Sequence, residues 1–332
     1  MAVSVIPAYR VVSHFAKQSE NLPAMDAVDA IENRTRDYVR NLLSTLHPSF
    51  VEMGQRTAVT QLGDPSVPVL LAALDDLEAG EAREIADRAV DKAVKALSRP
   101  DLNSRIFLFP GDGESSVLLN QMNGVLGFSL GAQATLVFVW PVENWQNWLS
   151  YTVIHEYAHL VRNLLFPRGI AGGKLVYMKT QEPETLLDAM IAEGVADAFA
   201  LSVMSEVNPP WTDALDDEET ERIWPRIRRR LGVSDPTEIR RMLFGDNDRV
   251  PQWAGYTLGY RMVTSYLERQ PDSALAQAAV SRCDGQRRAD AQAHLPDVQR
   301  LHHRPAQWHD QRLFSAGRLL QKPSRVRSAQ AD

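Results

Sequence analysis

The chain has 332 residues, of which 44% are hydrophobic and 23% charged, and it carries a net charge of −6. That length can bury a large core, and the acidic balance argues against nucleic acid as the main partner. No apolar run reaches the roughly eighteen residues of a membrane span, Met1 to Val12 lacks the make-up of a secretory signal, and the single Cys283 allows no internal disulfide; the expectation is a cytoplasmic protein with no membrane partner.

The first hundred residues read as mainly helical, with polar-faced segments near Ala24 to Leu46, Val67 to Leu77 and Gly80 to Leu97, and they carry no legible chemistry. Pro100 and the Asp-Leu-Asn-Ser that follows make a junction. Three short strands come next, Arg105 to Phe109, Gly124 to Phe128 and Ala134 to Trp140, separated by Gly-rich or polar turns. They are expected to form a sheet beside the helix that follows. An exposed edge at Gly124, Val125, Leu126 and Gly127 could take an extended peptide as a further strand, although the same strands would also be needed to cover a core.

From Trp148 to Leu164 the apolar residues fall at the spacing of a helix buried along much of its length. Inside it stands His155-Glu156-Tyr157-Ala158-His159. Side chains at i and i+4 share a helix face, so both imidazoles can reach one zinc ion while Glu156 points beside them. Chance produces this HExxH pattern in roughly one such sequence in a hundred, so the flanks have to agree. A second helical stretch, opening near Pro183, runs through Ala189 to Ala200 and carries Glu193 and Asp197 on one face. Glu193 can close a third coordination position, and Asp197 can accept the free ring N–H of a ligating histidine. Gly194 costs about 1 kcal/mol relative to Ala in a helix interior, which suggests that it lets two helices approach closely.

Arg226 to Arg230 follow the acidic run Asp216 to Glu221, a pattern of a solvated, mutually paired helical surface. In the segment Trp253 to Tyr260, the glycines Gly255 and Gly259 and the tyrosines Tyr256 and Tyr260 each recur at i and i+4. The bare face can pack tightly while one Tyr hydroxyl stabilises an oxyanion in the metal cleft; alternatively both rings are ordinary core aromatics.

Three blocks, Thr152 to His159, Thr185-Leu186-Leu187-Asp188 leading into Glu193-Gly194-Val195-Ala196, and Trp253 to Tyr260, span roughly residues 105 to 270. In this order and spacing the chain resembles the YjaZ-like predicted zinc-dependent proteases, a domain family of unknown function in the gluzincin group. The resemblance implies an α+β, zincin-like (gluzincin) metallopeptidase fold, a small mixed sheet packed on an active-site helix with a mainly helical remainder. It also implies one zinc ion held by His155, His159 and Glu193, and Glu156 as catalytic base. The expected organisation is a mainly helical region over 1–100, a zinc metallopeptidase domain over 101–280 and a disordered or atypical tail over 281–332. That tail has no Glu, ten Lys and Arg against five Asp, and half of the eight histidines, a composition that would also fit a reading frame shifted relative to its relatives.

The expected activity is hydrolysis of a peptide or protein by zinc-activated water with Glu156 as general base. No pocket for a free peptide amine is legible, which favours an endopeptidase. The alternative is a zinc-binding scaffold without turnover, although such a scaffold has no need of Glu156. Oligomeric state is left open.

Overall fold

The computed structural model describes residues 2–64, 66–172, 174–246 and 249–269. The chain opens with a strand, β1 (Ala2–Ile6), followed by five helices, α1 (Ala8–Ser19), α2 (Ala24–Leu42), α3 (Pro48–Leu62), α4 (Val67–Ala79) and α5 (Ala82–Ala96). Strand β2 (Asn103–Pro110), a π-helical turn at Val117–Gln121, and strands β3 (Val125–Leu130) and β4 (Ala134–Val139) lead into the long helix α6 (Trp145–Leu165). A small hairpin, β5 (Arg168–Ala171) and β6 (Lys174–Tyr177), precedes α7 (Leu186–Val203). A 3-10 turn at Pro210–Thr212 and helices α8 (Asp217–Arg228), α9 (Pro236–Phe244) and α10 (Ala254–Arg269) complete the described residues. The architecture is α+β, mostly helical, with a small mixed sheet. Among the described residues no helix is long and apolar enough to cross a membrane.

The main sheet has the order β1-β2-β4-β3, with β1, β2 and β4 parallel and β3 antiparallel to β4. The three strands expected from the sequence are present. β1 was not expected, and it ties the first residues of the chain to β2 through the register Ala2↔Asn103 to Ile6↔Phe107. Every residue of the inner strand β4 is buried, as expected of a strand covered on both faces, whereas β3 lies at the edge with its middle residues only partly covered. Helix α6 packs on β3 and β4, and α5 and α7 pack on α6. The HExxH segment thus sits between sheet and helices.

The start of α7 is set by a capping box. Thr185 Oγ1 accepts from the Asp188 N–H, and the Asp188 carboxylate accepts from the Thr185 N–H. The helix therefore begins three residues later than Pro183, which instead bridges Val176 in extended pairing.

Helices α7 and α10 touch backbone to backbone. A Cβ added to Gly194 would stand 2.4 Å from the carbonyl oxygen of Gly259, and one added to Gly259 would stand 2.2 Å from that of Met190. Gly194 does mark a close helix approach, but the contact falls on α10 rather than α6. A methyl group at either position must push main chain apart. Gly259→Ala is expected to destabilise the protein by about 1–3 kcal/mol, measured by urea unfolding.

The basic cluster at the C-terminal end of α8 finds partners outside the acidic run. Arg230 pairs with Glu238 on α9, and Arg226 donates to the carbonyl of Arg249.

Candidate metal centre

His155 and His159 lie one turn apart on the buried face of α6, with their rings tilted edge to face at a centroid distance of 4.8 Å. Their Nε2 atoms are 3.1 Å apart. Glu193 reaches across from α7 and places Oε2 3.4 Å from Nε2 of each histidine. Donors at the corners of a tetrahedron around zinc, with bonds of the usual lengths, are about 3.3–3.4 Å apart. Two imidazole nitrogens and one carboxylate oxygen therefore stand at nearly the separations that a zinc ion demands, and the donor set is one that zinc favours. The Glu156 carboxylate also lies within 4.8 Å of both imidazoles, but one of its oxygens is already engaged elsewhere.

His155 is oriented from behind. Its Nδ1 lies 2.9 Å from Asp197 Oδ1 and donates its proton there, so Nε2 is the ring nitrogen turned toward Glu193 and His159. Asp197 is fully buried, and the same Oδ1 accepts hydrogen bonds from Tyr151 Oη at 2.7 Å and Trp211 Nε1 at 3.1 Å. Burial opposes a charge on His155, but Asp197 and Glu193 outweigh it and hold its pKa well above the ordinary imidazole value. For Glu193, burial pushes the carboxyl up, and the two imidazoles more than reverse this, leaving it well below the usual carboxylate range.

Glu156 turns toward the sheet. Its Oε2 accepts a 2.5 Å hydrogen bond from Ser129 Oγ, and Ser129 Oγ is 2.9 Å from Thr135 Oγ1. Since the one Ser129 proton goes to Glu156, Thr135 must donate to Ser129. The other carboxylate oxygen lies where a Gly127 side chain would begin, 2.3 Å from the position of its Cβ. A methyl group in Gly127→Ala is therefore expected to displace the Glu156 carboxylate, which a crystal structure of the variant checks.

The four residues expected at the sheet edge sit in different settings. Gly124 forms a turn at φ +80°, with the Trp140 carbonyl oxygen 2.5 Å from its Cβ position. Val125 buries its side chain in the core at 1% exposure, and its N–H already donates to the Met122 carbonyl at 3.1 Å, so that donor is not free for an incoming strand. Leu126 and Gly127 are partly exposed on β3.

The two tyrosines of α10 also separate. Tyr256 packs its ring between Phe244 and Trp253, at 5.3 and 5.4 Å. Burial, and then the charges of Glu193, Asp197 and Glu156, raise its pKa well above the ordinary phenol value. Tyr256 is thus a neutral hydroxyl beside the acids of the centre. Burial first, then Asp197, Glu268 and Asp213, push Tyr260 up to about 12, and its ring packs against Val195, Ala198 and Val263. Of the two, Tyr256 is the one near Glu193 and Glu156.

Tyr151, Trp211 and Ser129 were not singled out from the sequence. Tyr151 stands four residues before His155 on the same helix face, a spacing that could have flagged it. No local pattern marks the other two.

Two histidines on one helix, a carboxylate from a second and an acid behind the first histidine form a cluster that could hold a metal ion, carried by a helical α+β fold. A family model described as a predicted Zn-dependent protease (DUF2268) matches residues 82–282, more than half of the chain. The chain belongs to that family. No curated protein and no solved structure matches it.

Proposed function

We propose that the protein is a zinc-dependent peptidase with a zincin-like, gluzincin-type site, in which His155, His159 and Glu193 hold one zinc ion. The observation that carries this reading is the set of three donor atoms 3.1, 3.4 and 3.4 Å apart. Zinc bound there supplies Lewis acidity to a water molecule and to a peptide carbonyl.

The chain's own residues do the rest. Glu156 takes a proton from the attacking water, whose oxygen bonds to the carbonyl carbon. When the C–N bond breaks, Glu156 returns that proton to the leaving amine. Ser129 keeps Oε2 occupied, so Oε1 is the oxygen that carries the proton. Tyr256 donates a hydrogen bond to the oxyanion as it forms. The edge strand β3 binds the substrate backbone, with Leu126 and Gly127 nearest the cleft. The ordered hydroxyl pair behind Glu156 supports turnover over a zinc scaffold without activity.

The test is metal content of the purified protein together with hydrolysis of a mixed peptide library. The expected result is about one zinc per chain, and cleavage that a chelator abolishes and added zinc restores. Protein that binds zinc but cleaves no peptide would leave only the scaffold reading, and protein that binds none would end both. Tyr256→Phe is expected to lower kcat about 10²-fold with little change in KM, and Tyr260→Phe to stay near wild type. Equal losses in the two variants would remove Tyr256 from its role.

A further inference from the structure

His155 and Tyr256 belong to helices a hundred residues apart in sequence, yet one short segment touches the surroundings of both. The turn at Pro210–Thr212 places the indole of Trp211 so that its Nε1–H donates to Asp197 Oδ1 at 3.1 Å. The carbonyl of the same Trp211 accepts a 2.8 Å hydrogen bond from Thr257 Oγ1. That hydroxyl in turn accepts from the N–H of Ala214 at 3.1 Å. Thr257 is fully buried and is the residue next to Tyr256. The Trp211 ring also lies 5.8 Å from Trp253, whose ring meets Tyr256 edge-on at 90° and 5.4 Å. Trp253 opens α10 from a left-handed backbone, φ 62°, a conformation that surrounding structure has to impose on such a residue.

Space filling alone requires none of these polar contacts. A phenylalanine would occupy most of the Trp211 site, and a valine would match the shape of Thr257. What the indole N–H and the threonine hydroxyl add is direction: one fixes the carboxylate behind His155, and the other fixes the first turn of the helix that carries Tyr256.

We propose that Trp211 and Thr257 are positioning residues that form a strut between the metal-holding and oxyanion-stabilising parts of the centre. The strut sets the orientation of His155 and the place of Tyr256 by one turn of chain. This rests on the peptidase reading above, and it adds residues that neither touch the metal donors nor reach the substrate.

The experiment uses the full chain loaded with Zn²⁺ and compares wild type, Trp211→Phe, Thr257→Val and Thr257→Ser. Two quantities are read: the rate at which a chelator strips the zinc, and kcat and KM on the mixed peptide library. Trp211→Phe is expected to lose zinc about ten-fold faster and to lose kcat as well. Thr257→Val is expected to keep the wild-type stripping rate and lose kcat on the order of ten-fold at unchanged KM. Combining it with Tyr256→Phe should cost little beyond Tyr256→Phe alone, and Thr257→Ser should restore the rate. A wild-type stripping rate in Trp211→Phe overturns the strut, as does a Thr257→Val loss that adds in full to that of Tyr256→Phe. Should Trp211→Phe fail to fold, the Thr257 and Tyr256 comparison decides. If wild type binds no zinc, the peptidase reading fails, and the strut is judged on the Tyr256 ring resonances of the zinc-free protein. These are expected to shift in Trp211→Phe and Thr257→Val alike, and unshifted resonances in Trp211→Phe overturn it.

Discussion

Glu156→Gln is expected to keep its zinc and to lower turnover by about 10²–10⁴-fold, the range that a positioned general base contributes. The separation of the two effects follows from where the side chain points. Glu156 lies next to His155 in sequence, but its carboxylate turns to β3, where Ser129 holds Oε2 at 2.5 Å and Gly127 leaves room for Oε1. A glutamine has the same shape and can still accept the Ser129 hydrogen bond through its amide oxygen, so the packing survives. It cannot take a proton from water. Metal analysis and peptide hydrolysis on the same preparation check both halves, and a Glu156→Gln protein that cleaves at the wild-type rate would remove Glu156 from the chemistry.

Glu193→Ala is expected to lose zinc during dialysis against buffer, because two imidazoles on one helix turn are then the only donors left from the set of three. Metal-free protein offers a second readout. The raised pKa of His155 contributes stability that is fully present below its ordinary value of about 6.5 and is lost as pH climbs through the raised value. The depressed pKa of Glu193 contributes stability present above its ordinary value of about 4.5 and lost as pH falls through the depressed value. Metal-free wild type should therefore exceed metal-free Glu193→Ala in melting temperature most between about pH 4.5 and 6.5, with the gap narrowing toward higher pH. Zinc competes with the His155 proton, so wild-type zinc affinity should rise over that same upper range. A Glu193→Ala protein that retains stoichiometric zinc would refute the ligand assignment.

The centre was legible in the sequence to the extent that helix periodicity carried it. His155 and His159 announce themselves by spacing, and Glu193 and Asp197 by being acids one turn apart in an otherwise small and apolar helix. The three strands before α6 were legible as apolar runs between turns. β1 was not, because its five residues acquire meaning only through pairing with β2, a hundred residues later. Helices α1 and α3 and the β5–β6 hairpin were likewise passed over. Ser129 and Trp211 act through contacts that no local pattern encodes: one depends on the antiparallel register that sets Ser129 opposite Thr135, the other on a turn between helices. Cys283 and the tail over 281–332 lie outside the described residues.

The seam between α7 and α10 limits how the cleft can move. With the Gly259 carbonyl seated against Gly194 and the Met190 carbonyl against Gly259, the two helices have no side-chain layer on which to slide. Glu193 is adjacent to one of these glycines in sequence, and Tyr256 lies one turn from the other. The acid that would hold the metal and the hydroxyl that would meet the oxyanion are therefore indexed to a single rigid body. Moving that body away from α6 would carry Glu193 and Tyr256 together, and it would first have to break the contacts of Asp197 with His155 and Tyr151.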